Sequence, residues 1–154
     1  MGETIEKRLS DLGVTLPAAA APAANYVPFM RTGNLVFTAG QLPLKDGKLQ
    51  VTGLLGRDVD TQAGKEAAKL CAINVLAQAK AAIGDLEKIR QLVKITVFVA
   101  STPDFTEQHL VANGASDFLV AVLGEPGKHA RAAVGTASLP LNAAVEIEAV
   151  IEVA

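Results

Sequence analysis

The chain has 154 residues, which suits one domain with its own core. Half of the residues are hydrophobic but only 4% are aromatic, so small side chains, alanine above all, must carry the packing. A net charge of −2 without a basic cluster argues against general nucleic-acid binding, one cysteine excludes an intrachain disulfide or a Cys-x-x-Cys metal site, and no apolar run reaches membrane length. With no signal-like segment, a reduced cytoplasmic setting is the expectation.

Residues 3–12 read as a short helix started by Glu3 or Thr4, with Ile5, Leu9 and Leu12 on one face and Gly13 as its stop. The Ala-rich tract 16–24 is bracketed by Pro17 and Pro22 and reads as an extended connector. Residues 1–20 are thus an extra helix and connector ahead of the rest of a single domain, 1–154. Residues 26–31 form a strand candidate that Pro28 pushes to a sheet edge, and 32–34 supply a turn. Residues 35–40 read as a buried strand. Asp46-Gly47 is a hairpin signal, with the return through 48–51.

Asp60 or Thr61 caps a long helix reaching Ile83, with Ala68, Ala72, Val75, Leu76 and Ala79 on its apolar stripe and Gly84 as its stop. Cys71 falls within that stripe and reads as a buried structural thiol. Residues 89–100 form a strand. Thr102-Pro103 has the chemistry of a helix start, and Val111, Ala115, Phe118, Leu119 and Val122 give the second stripe up to Gly124. His109 reads as a solvated residue on the polar side of that helix.

The last quarter reads as two strands around a Leu139-Pro140 corner. In the second, Val145, Ile147, Ala149, Ile151 and Val153 alternate with Glu146, Glu148, Val150 and Glu152, so one face is apolar and the other carries carboxylates. The first strand is small and apolar except for Arg131. A guanidinium in such a strand needs an anion. Either Arg131 bridges to Glu146 or Glu148 across the strands, or it clamps a carboxylate from outside. The whole pattern predicts an α+β fold: a sheet of about six strands with two main helices on one face. The uncovered apolar face would be an interface between copies.

Four segments carry a family resemblance: residues 33–43 (GNLVFTAGQLP), 84–89 (GDLEKI), 94–99 (KITVFV), and Ala130-Arg131 through Leu139-Pro140 to 145–148 (VEIE). They resemble the RidA (YjgF) family, whose members are also called L-PSP endoribonucleases or translation inhibitors. The resemblance runs from about Ala21 to Val153. It implies a chorismate-mutase-like α+β fold, a homotrimer with its sheets facing inward, and clefts between subunits. It also implies hydrolysis of enamines and imines of the 2-aminoacrylate type to 2-keto acids and ammonia, with no metal or organic cofactor. The implied partners are a small carboxylate-bearing imine, enamine or keto acid and two further copies of the chain; the charge balance speaks against nucleic acid and the lack of a membrane-length run against a membrane.

Carried over by position, the resemblance makes Arg131 the carboxylate binder and Glu146 the residue that holds the attacking water. It makes Tyr26 a cleft tyrosine and Gly40 and Ala133 backbone contacts, and it places Asn113 near a family asparagine. The sequence departs from the pattern where Ala39 replaces a common Ser or Thr, Ala133 a common cysteine and His129 a common proline. If the strand already includes residue 129, its spacing puts His129 on the side of Arg131, at the rim of the cleft; otherwise 127–129 are loop. At the rim it either supplies a hydrogen bond or proton, with a neutral ring beside the arginine, or is simply hydrated. Imine hydrolysis needs a held carboxylate, a positioned water and proton traffic, and no covalent nucleophile. The alternatives are a non-catalytic trimer that binds small carboxylates, motivated by Ala39 and Ala133, and a ribonuclease, for which only two histidines are present.

Overall fold

The computed structural model describes residues 3–19 and 25–154. In chain order the elements are α1 (Ile5–Asp11), β1 (Phe29–Thr32), β2 (Leu35–Thr38), β3 (Leu44–Lys45), β4 (Lys48–Leu49), α2 (Thr61–Ile83), β5 (Ile89–Ala100), α3 (Gln108–Leu123), β6 (Ala130–Thr136) and β7 (Val145–Val153). Among the described residues the result is a mixed α+β fold with three α-helices.

Each helix has a local cause. Thr4 caps α1, its side chain accepting from the Lys7 N–H at 3.1 Å, and Gly13 follows with a left-handed φ of 71°. Asp60 caps α2 by accepting from the Ala63 N–H at 2.8 Å. The α2 stripe read from the sequence is buried throughout. Helix α3 does not begin at Thr102-Pro103 as the sequence suggested. Thr102 donates its backbone N–H to Leu55 and its hydroxyl to Asp104, so this stretch stays irregular and the helix starts at Gln108.

The main sheet has five strands in the order β1-β2-β7-β5-β6, one fewer than expected. The difference is the Asp46-Gly47 hairpin. Both of its turn residues have positive φ, 53° and 75°, as a type I′ turn requires, but among the described residues β3 and β4 pair only with each other. Asn74 of α2 holds this region by donating to the carbonyls of Leu42 and Leu44, both at 3.0 Å. β1 is an edge strand, as Pro28 suggested. β2 is covered on one side only: Val36 and Thr38 are buried, whereas Phe37 is 41% exposed.

β5 is the central ruler. It runs antiparallel to β7, with Phe98 opposite Glu146 and Val97 opposite Ile147, and parallel to β6, with Ile95 opposite Arg131 and Val97 opposite Ala133. Ile95, Val97, Ile147, Ala149 and Ile151 are buried beneath α2 and α3. Both long helices therefore lie on one face. They approach closely at Gly114, where an added Cβ would fall 2.2 Å from the backbone oxygen of Lys65. The other face carries Glu146, Glu148, Phe98 and Val150 together with the exposed Phe37, Met30 and Val134.

Helix α1 packs Ile5 and Leu9 into the core. The Ile5 N–H donates to Glu87 at 2.7 Å, and Arg8 donates to the Val122 carbonyl at the end of α3. Residues 16–19 of the expected connector have no regular secondary structure, and 20–24 lie outside the described residues.

Candidate functional site

Arg131 is not bridged to Glu146 or Glu148. β5 lies between β6 and β7, and the two residues fall on opposite faces of the sheet: Arg131 shares the helix-covered side with Ile95, Glu146 the bare side with Phe98. Among the described residues no carboxylate pairs with Arg131.

What holds Arg131 is α3. Nη1 donates to Asn113 Oδ1 at 2.9 Å and to Ser116 Oγ at 3.1 Å, and Nη2 donates to the His109 carbonyl at 3.3 Å. A guanidinium has five N–H donors. Three are spent on the helix, which leaves one on Nε and one on Nη2 without a partner among the described residues. Two donors on adjacent nitrogens match the two oxygens of a carboxylate. Ala133 follows two residues along β6, on the same side and half-buried.

On the bare face, Glu146 and Gly40 form a second cluster. Gln41 bridges to Ile147 through backbone bonds of 2.7 and 3.0 Å, which lays Gly40 against Glu146. An added Cβ on Gly40 would sit 2.8 Å from Glu146 Cδ, so only glycine lets the carboxyl lie this close to the backbone. Gly40 is exposed, and its N–H has no partner among the described residues. Burial pushes the Glu146 carboxyl above its ordinary range, and the negative charge of Glu148 adds to the effect. Ala39 offers no hydroxyl, and its N–H and carbonyl are spent on Pro28 and on the Gln41 side chain. Tyr26 is 53% exposed just ahead of β1.

The structure thus gathers Arg131 with Asn113 and Ala133, and Glu146 with Gly40. His129 immediately precedes β6. Its Nε2 meets Ser116 Oγ at 2.9 Å and its Nδ1 meets the Gly127 carbonyl at 2.6 Å, so it faces Arg131 across a shared serine. Ser116 is absent from the sequence reading. Its one signal there is helical spacing: three residues after Asn113, it falls on the same helix face. His109 is exposed, and it enters the site only through its backbone carbonyl. Cys71 is wholly buried, and burial pushes its thiol up, which keeps it unreactive.

Two long helices on one face of a five-stranded sheet, an arginine on its edge strand and a carboxylate on its bare face make this a one-sided α+β protein. The comparisons with known proteins agree. The family described as "YjgF/chorismate_mutase-like, putative endoribonuclease" matches residues 6–153. The chain belongs to this RidA (YjgF) family. Among solved structures it is similar to the protein Atu1372 of Agrobacterium tumefaciens, of unknown function, with 61% identity, a TM-score of 0.93 and coverage of 97% of this chain and 92% of that one. It is 49% identical to Protein TCP17 of Trypanosoma cruzi, over 96% of this chain and 93% of the relative. It is 35% identical to the 2-iminobutanoate/2-iminopropanoate deaminase of Salmonella typhimurium, over 87% and 89%. Among the described residues no helix is long and apolar enough to cross a membrane.

Proposed function

We propose that this protein hydrolyses small 2-imino acids and their enamine tautomers to 2-keto acids and ammonia, in clefts formed between copies of the chain. The carrying observation is Arg131. Three of its donors are fixed by α3, and the two left over form an edge suited to a carboxylate. The 35% identity to an imine deaminase supports the same chemistry.

The separation of the two clusters supports a composite site. Arg131, Asn113 and Ala133 of one copy would face Glu146, Gly40 and Tyr26 of the next, in a homotrimer closed through the bare sheet face. Arg131 binds the substrate carboxylate and so fixes the imine carbon. The Glu146 carboxylate takes a proton from water as the oxygen bonds to that carbon, and passes it to the nitrogen as the C=N π bond breaks. The resulting carbinolamine loses ammonia as its hydroxyl becomes the keto group. An enamine is first protonated at carbon to give the imine. A raised carboxyl pKa brings the base closer to the working pH, which favours such proton transfer.

A second reading keeps the clamp without the turnover, because Ala39 supplies no hydroxyl to the water. One assay separates the two. Imines generated in situ from amino acids by an oxidase should release keto acid faster with the wild-type protein, and Arg131→Ala should remove that acceleration. Keto-acid binding without any acceleration would favour the non-catalytic reading. An active Arg131→Ala would reject the clamp.

A further inference from the structure

Ser116 and His129 have no part in the chemistry above, yet they form a polar row with one consistent direction. Arg131 can only donate, so Ser116 Oγ accepts from its Nη1 at 3.1 Å. The Gly127 carbonyl can only accept, so His129 Nδ1 carries the proton of that contact. The Nδ1–H tautomer that this contact selects presents Nε2 as an acceptor, to which the Ser116 hydroxyl donates at 2.9 Å. The row reads Arg131 to Ser116 to His129 to Gly127, and each link leaves the next atom in the state it needs.

The far end of the row is anchored. Gly127 is buried against α3, where an added Cβ would fall 2.6 Å from the Leu119 carbonyl oxygen. Its N–H donates to Gly124 at 2.8 Å, and Gln91 of β5 donates to the neighbouring carbonyls of Pro126 and Lys128. The Gly127 carbonyl is therefore a fixed point. Arg131, by contrast, is a long side chain on an edge strand, with many rotamers to lose when it binds a ligand.

We infer that Ser116 and His129 are positioning residues: they tie the Arg131 guanidinium to the Gly127 backbone and so hold its free Nε–Nη2 edge toward the substrate carboxylate. This rests on the carboxylate-clamp reading above. Because both ring nitrogens of His129 are already engaged, the row also turns that residue away from proton delivery and toward holding Arg131.

The test is calorimetric affinity for 2-oxobutanoate, together with KM and kcat on the matching imine. Ser116→Ala should weaken binding about tenfold, the effect of one hydrogen bond to a charged group. KM should rise by a similar factor with a smaller change in kcat. Ser116→Thr, which keeps the hydroxyl, should restore both. In an Arg131→Ala background, Ser116→Ala should cost nothing further. If Arg131→Ala binds as well as wild type, the clamp itself is wrong. If Arg131→Ala loses binding but Ser116→Ala does not, the clamp stands and the positioning role falls. A further loss from Ser116→Ala in the Arg131→Ala background also overturns it. Should Ser116→Ala fail to fold, His129→Phe keeps the ring volume and should weaken binding about threefold; unchanged affinity in that variant overturns the proposal.

Discussion

Glu146 shows how a single residue can oppose stability while serving the site. Its carboxyl is half-buried on the bare sheet face, with Glu148 two residues along the same strand. Burial and that neighbour raise its folded-state pKa above the value in the unfolded chain. In the window between the two values the folded protein binds more protons than the unfolded one. Stability from this group is therefore present below the unfolded value and lost as pH rises through the folded one. Glu146→Gln removes the ionisation. The thermal midpoint of the variant should exceed wild type at pH 7, and the gap should shrink below about pH 4, the ordinary glutamate value. Turnover should fall roughly 10²–10⁴-fold, the usual range for a lost general base. A midpoint at pH 7 equal to or below wild type would contradict this account. Both Glu146 and Arg131 stand out in the sequence, one as an even member of an alternating strand, the other as the lone charge in a small apolar one. Their relation did not. Which face each occupies depends on β5 lying between their strands and on its register, and neither is written in the two segments themselves.

At the scale of elements, helix and strand bodies follow local chemistry, and the exceptions come from tertiary contacts. The Asp60 cap, the Asp46-Gly47 turn and the whole of β5 are where periodicity and turn residues put them. Thr102-Pro103 fails as a helix start because the Thr102 N–H is taken by Leu55, a partner 47 positions earlier in the chain that no local rule anticipates. The α2–α3 contact is another case. Gly114 lies inside α3, where alanine is intrinsically better by about 1 kcal/mol. Yet its missing Cβ is what admits the Lys65 carbonyl of α2, since a Cβ there would be 2.2 Å from that oxygen and 2.7 Å from the Lys65 carbonyl carbon. The obstacle is backbone and cannot swing aside. Gly114→Ala should therefore destabilise the protein by roughly 1–3 kcal/mol, the usual cost of overpacking, despite the better helix propensity. Denaturant unfolding would read this directly, and an unchanged or raised midpoint would mean that α2 and α3 separate freely. Because Asn113 and Ser116 flank Gly114 on α3, the same variant should also loosen the support of Arg131.

At the scale of the whole molecule, the bare sheet face is where fold and proposed function meet. Two helices cover one side of a five-stranded sheet and leave Phe37, Met30 and Val134 exposed on the other, at 41%, 58% and 42%. An apolar surface of this kind is normally an interface. Arg131 and Glu146 sit on opposite sides of the same sheet, so one copy does not present both to one ligand. If each cleft takes Arg131 from one copy and Glu146 from its neighbour, two inactive variants can rescue each other. Arg131→Ala supplies an intact Glu146 side, and Glu146→Gln supplies an intact Arg131 side. Unfolded together at equal amounts and refolded, they should assemble at random into closed rings. A cleft works when its arginine comes from the second variant and its glutamate from the first, so about a quarter of the clefts should be whole, whatever the ring size. The mixture should then recover about a quarter of wild-type turnover, while each variant refolded alone stays inactive. Phe37→Glu, by placing a charge in the middle of the bare face, should reduce both assembly and turnover, with light scattering and keto-acid release falling together. A mixture as inactive as its components, in rings shown by mass to contain both variants, would mean that the two residues do not serve one cleft, and Glu146 would lose its place in the reaction.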